Sequence, residues 1–272
     1  MRLNAIQKFF TGYLLILVAS WLYLHFSLKT TEGFGNYLFS FAFSLVPLIG
    51  GTIGMFFSKT WGGLKSVIGK AVFFISLGSF SWGFGSMVWS YYNFFQSVAA
   101  PYPGIADVGF LAGSLFWIIG ILSLANISGT NSGFKKKQGK IILSVSAIVV
   151  AVASYYLLVV VARGGILSQS FNDYLKLFFD LAYPLADVFI LSLTLAVFSL
   201  LVHLLGGRYK LSIYALLAGF TFMYLADFVF SYTTTVGTFY NGNFGDLLFA
   251  IALWLITFGT LGFGKFKTQD DL

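Results

Sequence analysis

Long apolar runs dominate this chain. Eight can be drawn, at 10–28, 36–57, 67–95, 105–125, 141–161, 175–205, 211–235 and 244–263. Each approaches or exceeds the ~20 residues a helix needs to cross a bilayer. A backbone in lipid must satisfy its own hydrogen bonds, which leaves helices or closed barrels. Barrel strands read as alternating segments of ~10 residues, and no such alternation is present here. The expected class is therefore all-α: a polytopic membrane protein with eight transmembrane helices. Composition agrees, with 58% hydrophobic and only 9% charged residues, against roughly a quarter charged in soluble domains.

The first run follows Arg2 and Lys8 and could pass for a signal peptide. It is long enough to span, and no persuasive small-residue cleavage site follows, so an uncleaved first helix is expected. The third and sixth runs are longer than a perpendicular span requires, which predicts tilt or interfacial turns. Pro184 offers the sixth a kink, and Ser170 with Asp173 resembles a capping box ahead of it.

The 16 basic residues are distributed unevenly. Let the N-terminus lie on side A of the membrane. Only Lys29, Arg163 and Lys176 then fall on side B. Side A holds Arg2, Lys8, Lys59, Lys65, Lys70, Lys135, Lys136, Lys137, Lys140, Arg208, Lys210, Lys265 and Lys267. The positive-inside rule makes side A cytoplasmic and both termini internal, as in a bacterial inner (plasma) membrane protein.

Two loops on side B, 93–104 and 233–243, carry no charge. Each leads to an aspartate that opens a hydrophobic helix, Asp107 in one and Asp246 in the other. The correspondence extends further. Under a shift of about 139 residues, Pro47 falls near Pro184, Trp89-Ser90-Tyr91 near Phe230-Ser231-Tyr232, and Gly120 on Gly259. This predicts two fused four-helix repeats, 1–134 and 135–272, in one integral membrane domain. Units with an even number of helices share one orientation, so a pseudo-twofold axis along the membrane normal is expected. The units differ where Gly50 meets Asp187 and Ser86 meets Asp227.

A carboxylate inside a bilayer helix costs at least ~2.5 kcal/mol, so it usually has a role. Asp107 and Asp246 are expected at the outer mouth, where a first-turn acid also complements the helix dipole. Asp187 and Asp227 are expected roughly 10–15 Å further in, with Asp180 above Asp187. No lysine or arginine lies at mid-membrane. Such acids can simply tie helices together. The sharper expectation is a ligand, cation or proton site open to side B. Its candidate residues are Asp187, Asp227, Asp107, Asp246, Trp82, Trp89, Tyr91, Tyr102 and Tyr183. Acids beside aromatic faces suit a cationic or amphipathic ligand, and burial of the acids would allow a proton-responsive role.

Several chemistries are excluded. Cysteine is absent, so disulfides and thiolate sites are ruled out. His25 and His203 fall near opposite ends of the bundle and cannot share a metal or haem. No mid-helix lysine could carry retinal, and no phosphate loop or zinc-protease motif occurs. No cofactor, metal, nucleic-acid partner or catalytic residue is expected.

Some of these residues resemble a known family. Trp82, Trp89-Ser90-Tyr91-Tyr92, Pro103-Gly104-Ile105-Ala106-Asp107, Tyr183-Pro184-Leu185, Ala226-Asp227 and the 237–246 hairpin are similar to the multi-helix membrane sensor region ahead of bacterial diguanylate cyclases and phosphodiesterases. The resemblance covers about 70–264 and implies a helical sensor module without specifying its ligand. Such regions usually feed a cytoplasmic catalytic domain, whereas this chain stops at Leu272, so output through a partner protein is expected. The sequence thus supports a stand-alone membrane sensory or ligand-binding module. A transporter or channel for a cation or small amphipathic solute is the first alternative. A structural subunit of a membrane assembly is the second.

Overall fold

The computed structural model describes residues 3–127, 137–166, 174–201 and 210–264. Among these residues, every regular element is helical. The helices are α1 (Ala5–Leu22), α2 (Phe34–Thr60), α3 (Val67–Tyr91), α4 (Ile105–Ile127), α5 (Lys137–Ser154), α6 (Tyr174–Leu201), α7 (Lys210–Thr235) and α8 (Phe244–Leu261). All eight are long and apolar enough to cross a membrane. The helices α1, α3 and α5 run on into π-helical turns, at Tyr23–Leu28, Tyr92–Gln96 and Tyr155–Val161.

Local chemistry sets the ends. Asn4 and Gln7 form a reciprocal capping box at α1, Ser66 caps α3, and Asn243 caps α8, each occupying N–H groups that the first turn leaves unpaired. Pro184 lies within α6, where it removes one backbone bond. The Ser170–Asp173 box and His203 lie outside the described residues.

The core is a bundle in which α3 packs along α4, α2 along α3, and α7 along α8. Two further pairings join the first four helices to the last four: α2 with α8, and α4 with α6. Large side chains fill the centre, with Trp117 against Phe220 at 5.6 Å between ring centroids. Trp82 is buried against Phe110 and Phe249, at 5.0 and 5.3 Å.

The contact between α2 and α3 is close because glycines line it. A Cβ on Gly51 would lie 2.6 Å from the Phe80 nitrogen, and one on Gly83 would lie 2.7 Å from the Leu48 nitrogen. Small residues allow backbones to approach where lipid supplies no hydrophobic drive. The helices α6 and α7 meet over a much shorter stretch. There Asp187 and Asp227, rather than glycines, stand at the contact. The least buried of the eight spans is that of α5, which packs mainly on α6 and reaches α7 through its π-helical turn.

Candidate functional site

An acidic site between α4 and α7

The loop before α4 folds back on its own helix. Asp107 Oδ2 accepts the Gly104 N–H at 2.7 Å, and the Asp107 N–H donates to the Gly104 carbonyl at 3.2 Å. Its other oxygen, Oδ1, accepts the Tyr183 hydroxyl at 2.8 Å, joining α4 to α6. About one turn nearer the start of α6, Asp180 Oδ1 accepts the Tyr102 hydroxyl at 2.6 Å. Burial, then the bond to Asp180 and its charge, push the Tyr102 hydroxyl well above its usual range. It therefore stays a protonated donor.

About one turn further along α6 from Tyr183, Asp187 is hydrogen-bonded to Asp227 of α7. Both side chains are partly buried. An ionised carboxylate only accepts, so a bond between two carboxyl groups requires a proton on one of them. The pair is set ~6 Å further along α6 than the Tyr183–Asp107 bond, by helical rise. Below it on α7, the Tyr224 hydroxyl pairs with Ser154 of α5 at 2.9 Å.

One arginine closes the group. Arg163, just beyond the π-helical turn of α5, donates from Nη1 to the Asp180 carbonyl at 3.0 Å and from Nε to Ser231 Oγ at 3.4 Å. Its charge also acts on Asp187. Arg163 therefore spans α6 and α7 from α5. The polar side chains stand on single helix faces: Asp180, Tyr183 and Asp187 on α6, and Tyr224, Asp227 and Ser231 on α7. Both sets follow the three-then-four spacing that aligns helix side chains.

The contact between α2 and α3 is built differently. There Ser86 pairs with Ser44 at 2.5 Å, and a Cβ at Gly50 would run into Thr257 of α8. No side chain fits at Gly50, whereas a carboxyl fits at Asp187.

A second, closed polar cluster

Asp246 does not join the acidic site. Its Oδ2 accepts the Gly242 N–H at 2.6 Å and the Ser40 hydroxyl at 2.9 Å, and the residue is 5% exposed. Asn241 Oδ1 accepts from Trp89 Nε1 at 3.2 Å and Asn93 Nδ2 at 3.3 Å, while Asn36 donates to the Asn241 carbonyl at 3.0 Å. Trp21 donates to the Asn243 carbonyl at 3.1 Å. This network ties the hairpin before α8 to α1, α2 and α3.

The expected site residues therefore divide. Asp107, Tyr102, Tyr183, Asp187 and Asp227 come together. Asp246 and Trp89 belong to the closed cluster. Trp82 lies in the aromatic core. Tyr91 is 49% exposed, stacks on Phe95 at 5.4 Å and accepts from Gln96 at 3.1 Å, on the outside of the bundle. Sequence reading missed Arg163, Ser231, Tyr224 and Asn241 as participants. The spacing of the polar residues on α6 and α7 was the available signal for two of them. Nothing local marked Arg163, which reads simply as a loop charge. Among the described residues, no three acidic or histidine side chains converge as a metal site would require.

No protein-family model, curated protein or solved structure matches this chain.

Proposed function

We propose that this protein is a membrane sensory or ligand-binding module, with an acidic and aromatic site open to the extracytoplasmic side. The observation that carries this reading is the hydrogen-bonded Asp187–Asp227 pair, held partly buried between α6 and α7 beneath Tyr102, Tyr183 and Asp180. Carboxyl groups at such depth are retained against a solvation penalty. The four carboxyl groups of Asp107, Asp180, Asp187 and Asp227 outnumber the one guanidinium of Arg163 among them. That balance and the tyrosine faces favour a proton or an organic cation. The resemblance to cyclase-linked sensor regions leads to the same class and to output through a partner protein.

The bundle consists of two parallel four-helix repeats with both termini cytoplasmic. Two observations support the repeat. Exchanging the first four helices with the last four interchanges the α2–α8 and α4–α6 pairings. Asp107 and Asp246 also each accept a backbone N–H from a loop glycine just ahead, three residues back for Asp107 and four for Asp246. The basic residues gathered on side A support the orientation and an inner-membrane location.

The test is ligand-induced thermal stabilisation of the purified protein, using methylguanidinium and tetramethylammonium as probes. A bound ligand stabilises the folded state by mass action. Stabilisation by either probe that disappears in the Asp187→Asn/Asp227→Asn double variant supports the site. Stabilisation that persists unchanged in the variant overturns it. A transporter built on the same carboxyl pair would add cation flux in proteoliposomes, lost in Asp187→Asn; a sensor gives none.

A further inference from the structure

The weakly buried α5 is held to its neighbours by identifiable polar bonds. At its outer end, Arg163 bonds to the Asp180 carbonyl of α6 and the Ser231 hydroxyl of α7. Deeper, Ser154 meets Tyr224. Immediately after Arg163, Gly164 and Gly165 take φ values of 61° and 86°, a left-handed conformation that glycine adopts without strain. The helix therefore ends beside a pair of residues that can change conformation easily. Much of its remaining surface, including Ile148, Val149, Val152 and Tyr156, is exposed and faces away from the bundle.

From this arrangement we infer that Arg163 is a built-in occupant of the acidic site, and that a guanidinium-type or related organic cation arriving from the outer face binds by displacing it and releases the outer end of α5. This deepens the functional reading above and rests on it. Arg163 presents a planar cation with several donors to the Asp180 carbonyl and the Ser231 hydroxyl, with its charge acting on the Asp187 carboxyl, and a free guanidinium ion matches the same acceptors. Occupation by ligand removes two bonds that tether α5. The inner end of α5 carries Lys137 and Lys140, so its release would carry the change toward the basic face.

The natural absence of cysteine allows spin labels to be placed without background removal. Val161 on the π-helical turn of α5 and Phe178 on α6 are exposed, at 38% and 54%, and neither makes the latch. In the Val161→Cys/Phe178→Cys protein, a single narrow inter-label distance is expected. Millimolar methylguanidinium should broaden it, and Arg163→Ala should broaden it without ligand. Arg163→Lys, which keeps charge but loses the planar fork, should fall between and serves if the alanine variant does not fold. A narrow, unchanged distance in the Arg163 variants overturns the latch. Thermal stabilisation by methylguanidinium without any broadening also overturns it, while leaving the binding site standing. Broadening in Arg163→Ala with neither stabilisation nor broadening by methylguanidinium overturns cation displacement and the organic-cation reading with it.

Discussion

The Tyr183 hydroxyl donates to Asp107 Oδ1 at 2.8 Å, and this bond ties the first turn of α4 to a point well inside α6. Asp107 thereby spends one oxygen on its own loop and the other on the facing helix. Removing the hydroxyl in Tyr183→Phe leaves a buried carboxyl oxygen unpaired, at a cost of about 1–3 kcal/mol. The loss should appear as a lower unfolding midpoint in detergent. Tyr91→Phe, on the exposed surface, should leave the midpoint unchanged.

The carboxyl pair of α6 and α7 makes a graded prediction. Asparagine at 187 can still donate to Asp227, so Asp187→Asn should fold with nearly wild-type stability while losing cation-induced stabilisation. Asp187→Ala removes the partner and leaves Asp227 alone, so it should lower stability by about 1–3 kcal/mol. Equal stability of the two variants, measured by thermal unfolding, would contradict the hydrogen-bonded pair.

Asp246 should behave oppositely. It accepts from Gly242 and Ser40 inside a closed network, so Asp246→Ala should destabilise by about 1–3 kcal/mol. Any surviving folded protein should keep its full cation response. Loss of that response in a well-folded variant would move Asp246 into the site.

The close approach of α2 and α3 predicts steric sensitivity. Gly83→Ala would place a methyl group 2.7 Å from the Leu48 nitrogen, and overpacking of this kind costs about 1–3 kcal/mol. A fall in the unfolding midpoint is expected. Gly12→Ala, where nothing lies within 4 Å of the added atom, should not lower it.

Orientation can be checked directly with single cysteines. Thr238→Cys lies in the loop between α7 and α8, and Lys65→Cys in that between α2 and α3. A membrane-impermeant maleimide added to intact cells should label the first and not the second. The reverse result would invert the assigned topology.

Much of this architecture was legible in the chain. The apolar runs predicted all eight helices to within a few residues at most ends, because a span of lipid demands a minimum length of uncharged helix and allows little else. The uncharged loops ahead of Asp107 and Asp246 were visible as well. Their different surroundings were not. Asp246 meets Ser40, and Asp107 meets Tyr183, through contacts between residues far apart in the chain. Tyr91 and Trp89 are near neighbours in sequence, yet one faces outward and the other donates to Asn241.

By itself, then, the sequence determined the class: an eight-helix chain with most of its acids toward one end of the helices and most of its basic residues toward the other. Those properties follow from local hydrophobicity and charge. Only the tertiary structure decided which acids share a site. It brought Asp180 and Asp187 within reach of Arg163 and set Asp227 against Asp187, and sealed Asp246 into a separate network. The physical reason is that a helix specifies which side chains share its face, but the partner it meets depends on how closely neighbouring helices can pack. Glycines close the interface between α2 and α3, whereas α6 and α7 meet through larger polar side chains.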